Sequence, residues 1–229
     1  MAMAKRRTKI IATVGPASLK PGVFREIIKE GADFIRINTA YSTKKQHSFI
    51  FEKESFSPLR VIFDIRSPEK VKRVLEYKPS LVALSFAETK KQFQDIKKYL
   101  PEAKIIAKIE SKKGVRNFEK LLPFCWGAMV ARGDLGIAVS LEKVPCLQKR
   151  FSKETLKEGK FLIVATEMLL SMVKNPKPTR AEVSDVANAV FEGAWAVMLS
   201  EETAIGKHPV EAVRYMRKIV EQAESCKRI

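Results

Sequence analysis

The chain has 229 residues, 45% of them hydrophobic and 30% charged, a globular composition that excludes a disordered chain. Its 43 basic and 26 acidic residues give a formal net charge of +17. The basic pairs, such as Lys44-Lys45 and Lys149-Arg150, are scattered over helical segments without interleaved aromatics, which disfavours a nucleic-acid surface. Apolar runs reach six residues, as from Ala194 to Leu199, so no membrane-spanning helix is expected. The basic start is followed only by a short apolar stretch, and no secretory signal is expected. Cys125, Cys146 and Cys226 form neither a disulfide framework nor a zinc pattern, and a reduced, cytoplasmic setting is the expectation.

Strand and helix patterns alternate from end to end. The first predicted strand covers 9–14, and Gly31 caps the helical run before the second, 33–38. The third covers 60–65. Ser67-Pro68 then places proline at the start of a helix expected to run over 70–77. Further strands are expected at 81–86, 104–110, 128–132 and 161–166, the last preceded by the cap residue Gly159. Thr179 and Glu182 form a capping-box pair ahead of Val183, Val186, Ala187 and Val190, which follow helical spacing. Gly193 ends that helix, the eighth strand covers 196–200, and His208-Pro209 opens the final helix. Eight strand–helix units in this length suit a single closed (β/α)8 TIM barrel; an open doubly wound sheet is the alternative.

Residues i and i+2 on a strand share a face. Six predicted strands end in polar residues: Arg36 and Asn38, Asp64 and Arg66, Lys108 and Glu110, Arg132-Gly133-Asp134, Thr166-Glu167, and Ser200-Glu201-Glu202. Ile37, Ile65 and Ile109, between them, are expected to face the helices. In a barrel, the C-terminal strand ends carry the active site. Glu110 and Asp134 are hard oxygen ligands that suit Mg²⁺ or Mn²⁺ together with substrate oxygens and water. Lys108 and Arg36 offer positive charge to a phosphorylated anion, and Lys108 also to an enolate. Gly133 leaves the backbone open to a ligand, amides near Asp134 can hold a carboxylate, and Thr166 adds a hydroxyl. The plain alternative is that Lys108–Glu110 and Arg132–Asp134 are ion pairs plugging the barrel. His47 reads as a surface histidine, His208 as part of a helix start, Cys125 as core, and Trp195 as packing on the eighth strand.

Several segments resemble the pyruvate kinase family. They are Thr8-Lys9-Ile10 through Ala17-Ser18, Ile106-Ala107-Lys108-Ile109-Glu110, Met129-Val130-Ala131-Arg132-Gly133-Asp134-Leu135-Gly136, and the run from Asn175-Pro176 to Asn188-Ala189. The resemblance covers nearly the whole chain. It implies phosphoryl transfer from phosphoenolpyruvate to ADP, giving pyruvate and ATP through a metal-stabilised enolate. Lys108 would contact the transferred phosphoryl group and the enolate oxygen, Glu110 and Asp134 would hold Mg²⁺ or Mn²⁺, and Arg36 would bind the phosphoryl group. Thr166 and the Gly133-Asp134 backbone would hold the pyruvate carboxylate. Asn38 and Asp64 would belong to a K⁺ site.

The chain departs from the family pattern in places. The lid insertion is missing near 66–70, and the C-terminal domain is missing as well, leaving one barrel domain over 1–229. Thr39-Ala40-Tyr41-Ser42 replaces phenylalanine-serine-histidine-glycine, so K⁺ dependence is in doubt. Ile65-Arg66 replaces threonine-lysine, Glu88 stands for arginine, and Glu167 and Glu201 replace glutamine and glycine. The metal–enolate half is kept, and the nucleotide half is eroded. Two other readings compete with a minimal kinase: a metal-dependent 2-oxo acid lyase or decarboxylase without nucleotide, and a non-catalytic binding or regulatory protein. A homo-oligomer through the barrel helices is compatible with each of them.

Overall fold

The computed structural model describes residues 6–54 and 56–226. All eight expected strands are present: β1 (Lys9–Thr13), β2 (Phe34–Asn38), β3 (Val61–Ile65), β4 (Leu81–Leu84), β5 (Lys104–Ile109), β6 (Gly127–Ala131), β7 (Phe161–Ala165) and β8 (Ala196–Leu199). Each strand pairs in parallel with the next, and β8 returns to β1, so the sheet closes and the open-sheet alternative falls. Around it lie α1 (Val23–Lys29), α2 (Lys44–Ser48), α3 (Lys90–Lys97), α4 (Lys112–Leu121), α5 (Arg132–Val139), α6 (Val144–Lys157), α7 (Arg180–Phe191), α8 (Glu201–Ala204) and α9 (Pro209–Cys226). No helix among the described residues is long and apolar enough to cross a membrane.

The punctuation read from the sequence sits where it was expected. Thr179 and Glu182 form the capping box of α7, and Gly31, Gly159 and Gly193 all have positive φ. The segment after β3 departs from expectation only in detail. The helix expected over 70–77 is present, starts two residues earlier, and is a 3-10 helix over Pro68–Tyr77. Pro68, Val71, Val74 and Tyr77 recur every third residue, the period of that helix, and the first three are buried together on the sheet. Several strands also stop one or two residues short of the expected ends. Phe86 and Thr166 take left-handed φ values of 49° and 67°, which no strand ladder accommodates.

The period-two alternation splits the core into two layers. Ile11, Ile62, Ala83, Ile106, Met129, Ile163 and Met198 fill the barrel interior. Ile37, Ile65 and Ile109 face outward, as expected, and join Phe93, Phe118, Phe151 and Val213 of the helices. Trp195, just ahead of β8, packs with Phe34 and Trp126 at the N-terminal end of the barrel, at ring distances of 5.3 and 5.1 Å. Cys125 is buried, as expected of a core residue.

His47 is not on the surface. Its relative exposure is 7%, its ring meets Tyr77 edge-on at 5.0 Å, and its Nε2 lies 3.0 Å from Ser42 Oγ. The short α2 folds this face onto Phe63 and Tyr77, a contact the local polar sequence conceals. Burial lowers the His47 pKa.

One carboxylate holds the start of the barrel to its last helix. Glu224, in the final turn of α9, accepts the backbone N–H of Thr8 at 2.6 Å and of Arg7 at 3.0 Å. Burial alone would raise its pKa, but these donors outweigh burial and hold it below the ordinary carboxylate range. Its contribution to stability is therefore full above the unfolded glutamate pKa of about 4.3 and is lost as pH falls through the lowered folded value. Glu224→Ala is expected to cost roughly 2–3 kcal/mol at neutral pH in denaturant titrations, shrinking toward acid. An equal cost at neutral and strongly acidic pH would contradict this assignment.

Candidate functional site

The strand ends that the alternation turns inward meet in one cavity of about 300 Å³ at the C-terminal mouth of the barrel. Arg36, Asn38, Asp64, Arg66, Lys108, Glu110, Asp134, Thr166, Ser200 and Glu201 all line it. The sheet register explains part of this. Asn38 pairs with Asp64 across β2 and β3, and Lys108 stands opposite Met129 across β5 and β6.

Asp64 lies at the centre of the charges. Its Oδ2 accepts from Arg36 NH2 at 2.7 Å and Arg36 Nε at 3.0 Å, and lies 2.9 Å from Lys108 Nζ. Its Oδ1 accepts from Ser85 Oγ at 3.0 Å. Burial would raise the Asp64 pKa, but the Arg36 and Lys108 charges outweigh it and keep the carboxylate ionised. Lys108 places its ammonium among three acceptors: Asp64 Oδ2, Glu110 Oε1 at 2.9 Å and Ser85 Oγ at 2.8 Å. An ammonium has three donors. A ligand oxygen reaching Lys108 must therefore take the place of one of these acceptors.

Glu110 is 2% exposed. Its Oε2 accepts the Phe86 backbone N–H at 2.8 Å, and burial raises its pKa against the pull of Lys108. Asp134, by contrast, is solvent-exposed, and its carboxylate bonds to no described residue. No group of three or more metal-ligating side chains occurs among the described residues. Two carboxylates on one cavity, one of them free of protein partners, still fit Mg²⁺ or Mn²⁺, because such ions take one or two carboxylates and complete their shell with water and substrate oxygens.

Of the two suspected plugging pairs, only Lys108–Glu110 exists. Arg132 turns away from Asp134. It binds Asp185 at 2.6 Å and donates to the Thr166 and Glu167 carbonyls at 2.9 and 3.1 Å. It thereby braces two successive left-handed residues, Thr166 and Glu167, at φ 67° and 54°. Such strain in a β-branched residue persists only where its surroundings impose it, and it clusters at functional sites. Thr166 Oγ1 accepts the Gly133 N–H at 2.8 Å, so that amide is already engaged. Glu202 faces inward to the backbone N–H groups of Leu169 and Ser200 and takes no part in the cavity.

The family model "Pyruvate kinase, barrel domain" matches residues 64–213. The chain belongs to the pyruvate kinase family. It is 48% identical to a pyruvate kinase of Chlamydia trachomatis over 155 residues, 66% of this chain and 32% of that protein. With a pyruvate kinase of Borreliella burgdorferi it shares 40% over 195 residues, 81% of this chain and 41% of that one. With one from Thermotoga maritima it shares 46% over 146 residues, 62% and 31% of the two chains. The chain thus spans about a third to two fifths of the length of these relatives. In this pyruvate kinase barrel, Ser85 is the residue that motif reading missed. It precedes Phe86 at the end of β4, and only the closed sheet brings its hydroxyl between Asp64 and Lys108. The one available signal was a serine two positions beyond the inward-facing Ala83.

Proposed function

We propose that this barrel performs the pyruvate-kinase reaction, phosphoryl transfer between phosphoenolpyruvate and ADP through an enolate, with the transfer half impaired. The observation that carries this reading is the single cavity in which Lys108, Glu110, Asp134, Arg36 and Thr166 converge. Glu110 and Asp134 would hold Mg²⁺ or Mn²⁺, which supplies Lewis-acid stabilisation of negative charge on substrate oxygens. The Lys108 ammonium faces the charge of the enolate and of the transferred phosphoryl group, within a buried site where such interactions are strong. Arg36 meets the phosphoryl group with a guanidinium already oriented by Asp64. The backbone N–H of Asp134, beside Thr166, would orient the carboxylate, while the Gly133 N–H stays bound to Thr166 Oγ1.

The connection between β3 and β4 spans residues 66–80 and consists of one 3-10 helix with its flanking turns. No lid domain stands there, in this reading, to exclude water and position a nucleotide. A coupled assay with phosphoenolpyruvate, ADP and Mg²⁺ tests the proposal when run beside metal-dependent decarboxylation of oxaloacetate. Decarboxylation with no response to ADP would favour the lyase reading. Neither activity, in folded protein, would favour the non-catalytic one.

Any such activity is expected to be nearly independent of K⁺. Asn38 and Asp64 stand side by side, but both Asp64 oxygens are engaged, Asn38 Oδ1 accepts the Ala40 N–H at 3.2 Å, and Ala40 brings no hydroxyl. Rates compared in K⁺ and in Tris check this. A rise of tenfold or more in K⁺, about 1.4 kcal/mol, would show that the cation site survives.

A further inference from the structure

Phe118 and Phe151 pack α4 on α6, with ring centroids 4.2 Å apart. One turn nearer the N-termini of these helices the contact opens. Val115 on α4, Leu147 on α6 and Val139 at the end of α5 are half-buried there and floor a groove of about 560 Å³ that is open to solvent. Helix N-termini follow the C-terminal ends of the strands in this topology. The groove therefore lies on the mouth side of the barrel, with walls distinct from those of the cavity there.

Its rim is basic. Lys112, Arg116, Lys143 and Arg150 stand around it, and Glu142 is the one acid among its lining residues. Arg150 is balanced by Glu154 and Glu119, at 2.7 and 3.2 Å, and Glu142 accepts from Ser140 Oγ at 2.8 Å. Lys112, Arg116 and Lys143 are exposed and make no ion pair among the described residues.

Charge and shape narrow the occupant. A second copy of this chain would bring a net charge of +17 against the same sign, and pairing this face with itself would set basic rim on basic rim. A small molecule gains its affinity by burying most of its surface, which an open trough does not provide. A helix laid in the groove buries an apolar stripe against both walls and keeps its charged flanks at the rim. We propose that this groove docks an amphipathic helix of a partner protein, its aliphatic anchors resting on Val115, Val139 and Leu147 and its acidic flanks facing Lys112, Arg116 and Lys143. The partner would stand beside the barrel mouth without entering the cavity.

Fluorescence anisotropy of the full chain with three labelled synthetic peptides of about 18 residues tests this. One is a helix with leucine along one face and glutamate on its flanks. The second carries lysine for glutamate, and the third is a scramble of the acidic sequence. The acidic helix should bind at least about tenfold tighter than its scramble and more weakly as salt rises, and the lysine helix should not bind. Arg116→Glu with Lys143→Glu should weaken binding by about tenfold or more. Lys44→Glu with Lys218→Glu, at exposed positions on α2 and α9, should cost less than about threefold. Cys146 gives a local readout, because it lines the groove and is exposed, as Cys226 is on α9. The acidic helix at saturation should slow alkylation of Cys146 by iodoacetamide about tenfold and leave Cys226 unchanged, as read by mass spectrometry. Equal binding of helix and scramble, equal losses in the two charge-reversed variants, or an unprotected Cys146 would each overturn the proposal. Cys146 protection that grows with protein concentration alone would overturn it too, by seating a second copy in the groove. Protection by decanoate equal to that by the peptide would do the same, by making the groove a site for small anionic amphiphiles.

Discussion

Glu110→Gln is expected to abolish metal-dependent exchange of pyruvate methyl protons with deuterated water. In the proposed reading the exchange would need only the enolate half of the site: a metal on Glu110 and Asp134, with Lys108 close by. Glutamine keeps an oxygen for the Phe86 N–H but removes the charge, so the fold should hold while Mn²⁺ affinity falls. Loss of one electrostatic element of this kind costs about 10²–10³-fold in rate. Tyr41→Ala should leave exchange unchanged, because Tyr41 stands 84% exposed at the rim. Phosphoryl transfer to ADP should be slower than exchange by more than about tenfold, since misplacement of a nucleotide by about 1 Å can cost roughly 10²-fold. NMR of the pyruvate methyl signal and a coupled ATP assay measure the two rates, and paramagnetic relaxation measures Mn²⁺ binding. Unchanged Mn²⁺ affinity in Glu110→Gln would remove Glu110 from the metal site. Equal rates of exchange and transfer would mean that the nucleotide is held as well as the enolate.

Lys108→Met should give the largest loss of stability of any change in the cavity. Lys108 is 6% exposed and its ammonium sits among Asp64, Glu110 and Ser85, so its removal leaves two buried carboxylates close together with only Arg36 to balance them. Breaking a buried ion pair from one side costs about 3–5 kcal/mol. Urea titration checks the size of the effect. Adding Glu110→Gln to Lys108→Met should recover part of it, because the second change removes one of the unbalanced charges. A loss below about 1 kcal/mol for Lys108→Met, or no recovery in the double variant, would show that the network is not coupled in this way.

The class of fold was legible because its signal is local and repeated. Eight short strand runs, with proline or threonine at three helix starts and glycine at three helix ends, each depend on neighbours a few residues apart. Alternation alone placed Ile37, Ile65 and Ile109 on the helix side and turned Arg36, Asp64 and Lys108 toward the axis. Where a shorter period ran through the chain, at Pro68, Val71, Val74 and Tyr77, it was read only as a helix, although its spacing of three was already that of the 3-10 helix found.

What the tertiary structure alone decided was the partner of each charge. Strand order and register bring Asp64 from β3, Ser85 from the end of β4 and Lys108 from β5 within hydrogen-bond reach, so a serine carrying no motif becomes part of the site. Arg132 was equally plausible as a partner for Asp134, two residues away, yet the helical turn after β6 carries it to Asp185 on α7. His47 has polar neighbours in sequence and aromatic neighbours in space. Periodicity reports which way a side chain points; the partner it meets depends on the packing of elements far apart in the chain, and only the closed barrel determines that.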